Sequence, residues 1–71
     1  DSIKIERSFT ADVLDDPRSA IFVKGLIAMA HNLGMQVTAD GVDSDRHESL
    51  LRSLACDHVQ GNIYQPPAPL V

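Results

Sequence analysis

Ile3 and Ile5 alternate with Lys4 and Glu6, and this period of two predicts a short strand with one apolar face. Arg7 to Asp15 reads as a loop whose Phe9, Val13 and Leu14 pack locally. Asp16 suits an N-cap, Pro17 the first helical position and Gly34 the residue just past the end, so a helix is expected over Pro17 to Leu33. Its polar face is narrow: Lys24 and His31 lie nearly in line, while Ile21, Val23, Leu26, Ile27, Met29, Ala30 and Leu33 cover most of the rest, as a helix laid against a sheet requires. Met35 to Ala39 is a second strand. Ser44 or Asp45 caps a second helix whose buried stripe is His47, Leu50, Leu51 and Leu54. His58 to Gln60 makes a third strand, and Pro66, Pro67 and Pro69 are expected to end regular structure.

The resulting order, β-α-β-α-β, predicts an α/β fold of parallel strands joined by right-handed crossovers, with the loops after the strands gathered at one end. Lys4, Asp40, Asp43 and Gln60 all fall at or near that end. Three parallel strands cannot close a barrel, so the sheet edges and one helix face are expected to be bare and open to self-association. The strand alternation starts with the first residues, which suggests a piece of something larger.

Composition narrows the functional classes. With 71 residues the chain is one small unit, rich in aliphatic side chains and free of low-complexity stretches. A net charge of -4 argues against binding a nucleic-acid polymer, which calls for a basic stripe. Cys56, the only cysteine, allows neither an internal disulfide nor a zinc or redox pair, and a reducing cytoplasm suits it best. Its place at a helix end marks it as a small buried hydrophobe. His31, His47 and His58 are too scattered for a ligand set. The longest apolar stretch is broken by Lys24 and Gly25, too short to span a bilayer.

The segment with the strongest chemical promise is Ala39-Asp40-Gly41-Val42-Asp43, two carboxylates around a glycine where a strand gives way to a helix. Carboxylates at a strand end can reach a metal ion or a water above the sheet. On pattern alone the stronger reading is a turn followed by the acidic start of a helix, and Lys4 is an exposed strand lysine. Pro66-Pro67-Ala68-Pro69 reads as a polyproline-type ligand or as chain leaving the sheet.

Four blocks in order point further. Lys4-Ile5-Glu6-Arg7-Ser8-Phe9 resembles Lys-Ile-Asp-Arg-Ser-Phe, and Ala30-His31-Asn32-Leu33-Gly34 resembles Ala-His-x-Leu-Gly. Ala39-Asp40-Gly41-Val42-Asp43 resembles Ala-Glu-Gly-Val-Glu, and Cys56-Asp57-His58-Val59-Gln60-Gly61, with Pro67 behind it, resembles Cys-Asp-x-x-Gln-Gly-Tyr with its trailing proline. Together they resemble the C-terminal third of the EAL domain, the barrel-shaped cyclic di-GMP phosphodiesterase of bacterial signalling.

That resemblance implies residues 1–71 as part of a (β/α)8 TIM-like barrel whose upstream part lies outside this chain. It further implies cyclic di-GMP as ligand and metal-assisted hydrolysis with Mg2+ or Mn2+ in the complete domain. The isolated chain is expected to be inactive and to bind no metal by itself. Lys4 would stand beside the attacking water and scissile phosphate, and Gln60 would hydrogen-bond within the water and metal network. Asp40 takes the place of a glutamate that positions the metal-bound nucleophile, and Asp43 that of a glutamate bracing the loop over the metals. The departures imply an alternative. Both glutamates are aspartates here, Glu6 stands for Asp and Asn62 for Tyr, and such a degenerate domain would bind cyclic di-GMP or a protein partner without cleavage.

Overall fold

The alternation of Ser2–Ile5, Gln36–Ala39 and His58–Gly61 produces three parallel strands, β1, β2 and β3, in the computed structural model, which describes residues 1–61 and 64–70. Between them lie helix α1 (Arg7–Thr10), helix α2 (Pro17–Asn32) and helix α3 (Asp45–Ser53), and strand β4 (Tyr64–Pro69) closes the order. The sheet order is β1-β2-β3-β4. Because β1, β2 and β3 advance in one direction, right-handed crossovers put α2 and α3 on the same face. That is the layout of a barrel arc rather than of an open sheet covered on both faces.

Parallel pairing sets Ile5 level with Ala39, and Ala39 level with Val59. These three side chains share the helix-covered face and are buried with Val37, Val23, Ile27 and Ala30 of α2, and Leu51 of α3. Each of the Val, Ile and Leu side chains contributes on the order of 1.5–3 kcal/mol by leaving water. By strand alternation Lys4, Thr38 and His58 form the next row on the opposite face, which in a closed barrel is the interior.

Local chemistry decides the helix ends. Asp16 caps α2 by accepting the Arg18 amide at 2.9 Å, and Pro17 occupies the first turn. At the far end the Gly34 amide bonds to the His31 carbonyl and the Met35 amide to the Ala30 carbonyl, a Schellman closure with Gly34 at φ 78°. Ser44 caps α3 by accepting the His47 amide. The same closure ends α3, Ala55 bonding to Arg52 and Cys56 to Leu51, but there the left-handed position is Ala55, at φ 71°.

Four expectations are corrected. Arg7–Thr10 is a single helical turn, not loop, because the Phe9 and Ala11 amides find the carbonyls of Glu6 and Arg7. Ile21, Met29 and Leu33 of α2 are 70%, 59% and 68% exposed, so the buried stripe is only Val23, Ile27 and Ala30. The prolines do not end regular structure, since Pro66, Pro67 and Pro69 lie in β4. And β4 runs antiparallel to β3, so the strands are not all parallel. The Leu70 amide donates inward to the Asp57 carbonyl, so by alternation Pro67 and Pro69 turn their missing N–H outward, where an edge strand tolerates it. Phe9 packs locally as expected, its ring 5.6 Å from that of Phe22. Asn62 lies outside the described residues.

Candidate active site

Asp40 leaves β2 at its C-terminal end, its amide still in the ladder and donating to the Ile5 carbonyl at 2.9 Å. Gly41 follows at φ 79°, a conformation that disfavours any side chain, and a Cβ there would fall 2.7 Å from Arg7 Cγ. The turn sends the chain across the end of β3, where the Val42 amide donates to the Gln60 carbonyl at 3.0 Å. Gly61 permits that crossing: a Cβ on it would collide with the Val42 carbonyl. The two glycines thus bring Asp40 and Gln60 together at neighbouring strand ends.

Asp40 is half-buried, and its Oδ1 accepts the Gly41 amide at 2.8 Å. Gln60 is half-buried too, but its Oε1 is buried and has no hydrogen-bond partner among the described residues. A buried amide oxygen without a partner costs about 1–3 kcal/mol, so Gln60 Oε1 is suited to accept from a group outside the described residues. Lys4 is exposed one row further down the same face, on β1, level with Thr38. Lys4, Asp40 and Gln60 therefore share one end and one face of the sheet. Asp43 does not join them as closely. Its side chain is 70% exposed, with Oδ1 3.8 Å from His47 Nδ1 in the first turn of α3.

Two polar residues that sequence reasoning gave no part hold this loop. The Thr10 hydroxyl donates to the Asp40 carbonyl at 2.6 Å, and the Thr10 carbonyl lies 2.8 Å from His47 Nε2. His47 is 4% exposed and Thr10 fully buried. The available signal was a histidine in the otherwise leucine-built stripe of α3. His31 and Asp57 form a separate pair at 2.7 Å, and Asp57 also accepts the Val37 amide at 2.7 Å. Burial alone would raise the Asp57 pKa, but the His31 and Val37 hydrogen bonds and the nearby charges of His31 and His58 outweigh it and bring it below the ordinary 3.8. Cys56 is buried, as expected, with Sγ 3.2 Å from the His58 carbonyl, and burial pushes its thiol up.

The Asp40 carboxylate and the Gln60 amide are hard oxygen donors of the kind Mg2+ and Mn2+ take, and Gln60 Oε1, without a partner among the described residues, fits such a role. The number falls short: the described residues hold no group of three His, Cys, Asp or Glu side chains able to hold a metal ion.

The arc carries carboxylate, amide and ammonium groups at its strand ends, as α/β barrels place polar groups, and comparison with known proteins makes the family specific. The EAL domain profile matches residues 1–67, and the chain belongs to the EAL domain family. It is 39% identical to the signaling protein YkoW of Bacillus subtilis, over 94% of this chain and 8% of that protein. It is 36% identical to the cyclic di-GMP phosphodiesterase NbdA of Pseudomonas aeruginosa, over 99% of this chain and 9% of that protein. The EAL enzyme Bd1971, solved with cAMP and cyclic di-GMP bound, superposes with a TM-score of 0.83 at 33% identity, over 94% of this chain and 18% of that one. The chain thus spans under a tenth of the length of these two curated relatives. The α/β arc is part of a TIM-like barrel, as the family resemblance implied. Among the described residues no helix is long and apolar enough to cross a membrane.

Proposed function

We propose that residues 1–71 are the C-terminal part of a cytoplasmic EAL domain that hydrolyses cyclic di-GMP with divalent metal. The observation that carries this reading is the placement of Asp40 and Gln60 at adjacent strand ends, on the face that a closed barrel turns inward, with Gln60 Oε1 buried and without a hydrogen-bond partner among the described residues. Lys4 supplies positive charge to the phosphate oxygens as negative charge develops on them. Asp40 holds the metal side of the site together with ligands from outside this chain, Asp43 braces the loop, and Gln60 orients water. Mg2+ or Mn2+, when bound, lowers the pKa of water so that hydroxide is available near neutral pH. The isolated 71 residues, lacking the remaining ligands, are inactive. They also self-associate through the edge of β1, unpaired among the described residues, and the exposed apolar flank of α2.

A second reading rests on Asp40 Oδ1, which the Gly41 amide already occupies. With one methylene fewer than glutamate, this carboxylate folds back on its own loop, and such a domain binds cyclic di-GMP without cleaving it. One assay separates the two: turnover of cyclic di-GMP with Mn2+ by the full-length protein, beside its Gln60→Ala and Asp40→Glu variants. The phosphodiesterase reading expects wild-type turnover and a loss of about a hundredfold in Gln60→Ala, on the scale of one electrostatic stabiliser. Turnover unchanged in Gln60→Ala would remove that residue from the site. Silent wild type with activity gained in Asp40→Glu establishes the binding reading.

A further inference from the structure

The Asp40 peptide is fixed from both sides. Its amide is held by β1 through the Ile5 carbonyl, and its carbonyl by the Thr10 hydroxyl. Thr10 is held in turn: its carbonyl is an acceptor only, so His47 Nε2, 2.8 Å away, must carry the proton and donate it. His47 is anchored to α3, where the Ser44 hydroxyl accepts its amide at 3.1 Å. Hydrogen bonds therefore run from α3 through His47 and Thr10 to the Asp40 carbonyl, and the chain returns through Gly41, Val42 and Asp43 to α3. Both linking side chains are buried, where water cannot replace a missing partner and an orphaned group would shift the loop.

We propose that His47 is a positioning residue that sets the place of the Asp40 carboxylate through Thr10. The proposal rests on the reading of Asp40 as a site residue. Shifts on the order of 1 Å at a reacting centre cost about a hundredfold in rate, so a loop freed from Thr10 loses turnover while ligand affinity, drawn from many other contacts, is retained. A glutamine at this position keeps an N–H donor within reach of the Thr10 carbonyl, and a leucine of similar bulk does not.

The test uses the full-length protein, with His47→Leu, His47→Gln, Thr10→Val, Thr10→Ser and the His47→Leu/Thr10→Val double variant. Two readouts are taken, kcat and KM for cyclic di-GMP with Mn2+, and amide hydrogen exchange of residues 40–43. His47→Leu and Thr10→Val should each lower kcat about 30-fold with KM within about threefold, and the double variant should be little worse than either. His47→Gln and Thr10→Ser should recover most of the loss. Exchange at residues 40–43 should quicken about tenfold in the two defective variants and stay unchanged along α2. The proposal is overturned if exchange at residues 40–43 is unchanged in His47→Leu, if His47→Gln is as defective as His47→Leu, or if exchange rises equally along α2. If the wild type shows no turnover, the phosphodiesterase reading fails by itself, and the exchange data decide the role of His47.

Discussion

Asp57 ties three elements together through one oxygen, accepting from His31 at the end of α2 and from the Val37 amide in β2, just before β3 begins. Replacing it with alanine leaves the Val37 amide without a partner in a residue that is fully buried, at a cost of about 1–3 kcal/mol measured by urea denaturation. The pH dependence follows from the same contacts. Its folded pKa is depressed, so the stabilisation is fully present above the unfolded value of 3.8 and is lost as pH falls through the lower folded value. Stability of wild type should therefore drop more steeply than that of Asp57→Asn below about pH 4, and parallel curves would sink this account. The Cys-Asp block contained the residue, but its partners, 26 and 20 positions away, appear only once β2 and β3 are in register. His47 was hidden for a similar reason: its place in the α3 stripe signalled burial, and only the fold brings Thr10 to it.

At the scale of elements, the starts and ends governed by neighbouring residues were readable, and those governed by distant chain were not. Asp16, Pro17 and Gly34 bounded α2 to within a residue because capping is local chemistry. β4 was missed because prolines argue against a strand unless their missing N–H faces an edge with no ladder to maintain, as at Pro67 and Pro69 among the described residues. The end of α3 carries the same Schellman closure as α2 without its glycine. Ala55 at φ 71° bears a left-handed conformation costing an L-residue about 1–2 kcal/mol. Glycine removes that cost but adds freedom to the unfolded chain, so Ala55→Gly should raise stability by a net of about 0.5–1 kcal/mol. A lower midpoint in thermal unfolding would show that the Ala55 methyl makes a contact outweighing its strain.

For the molecule as a whole, the distribution of apolar surface says which side of the arc lacks a neighbour. At 3.6 residues per turn, Phe22, Met29 and Leu33 fall along one flank of α2, beside the buried Val23, Ile27 and Ala30, while Lys24 and His31 occupy the other and Ile21 lies on the outward side. His31 reaches Asp57, so its flank faces β3, and the apolar flank faces the side of β1, which is an edge of the sheet among the described residues. An unpaired edge strand beside exposed large hydrophobics is an association surface. This explains why the sequence pattern overstated the buried face of α2: apolarity marks the surface to be covered, whichever chain covers it. The 71 residues alone should show a mass that rises with concentration in light scattering, and Met29→Lys with Leu33→Glu should return them to a monomer. In the full-length protein the same pair should lower stability by several kcal/mol, because charges would then be pressed into a packed helix interface. A strictly monomeric wild-type segment, or a full-length protein indifferent to both substitutions, would mean that this flank is solvent-facing in the complete barrel.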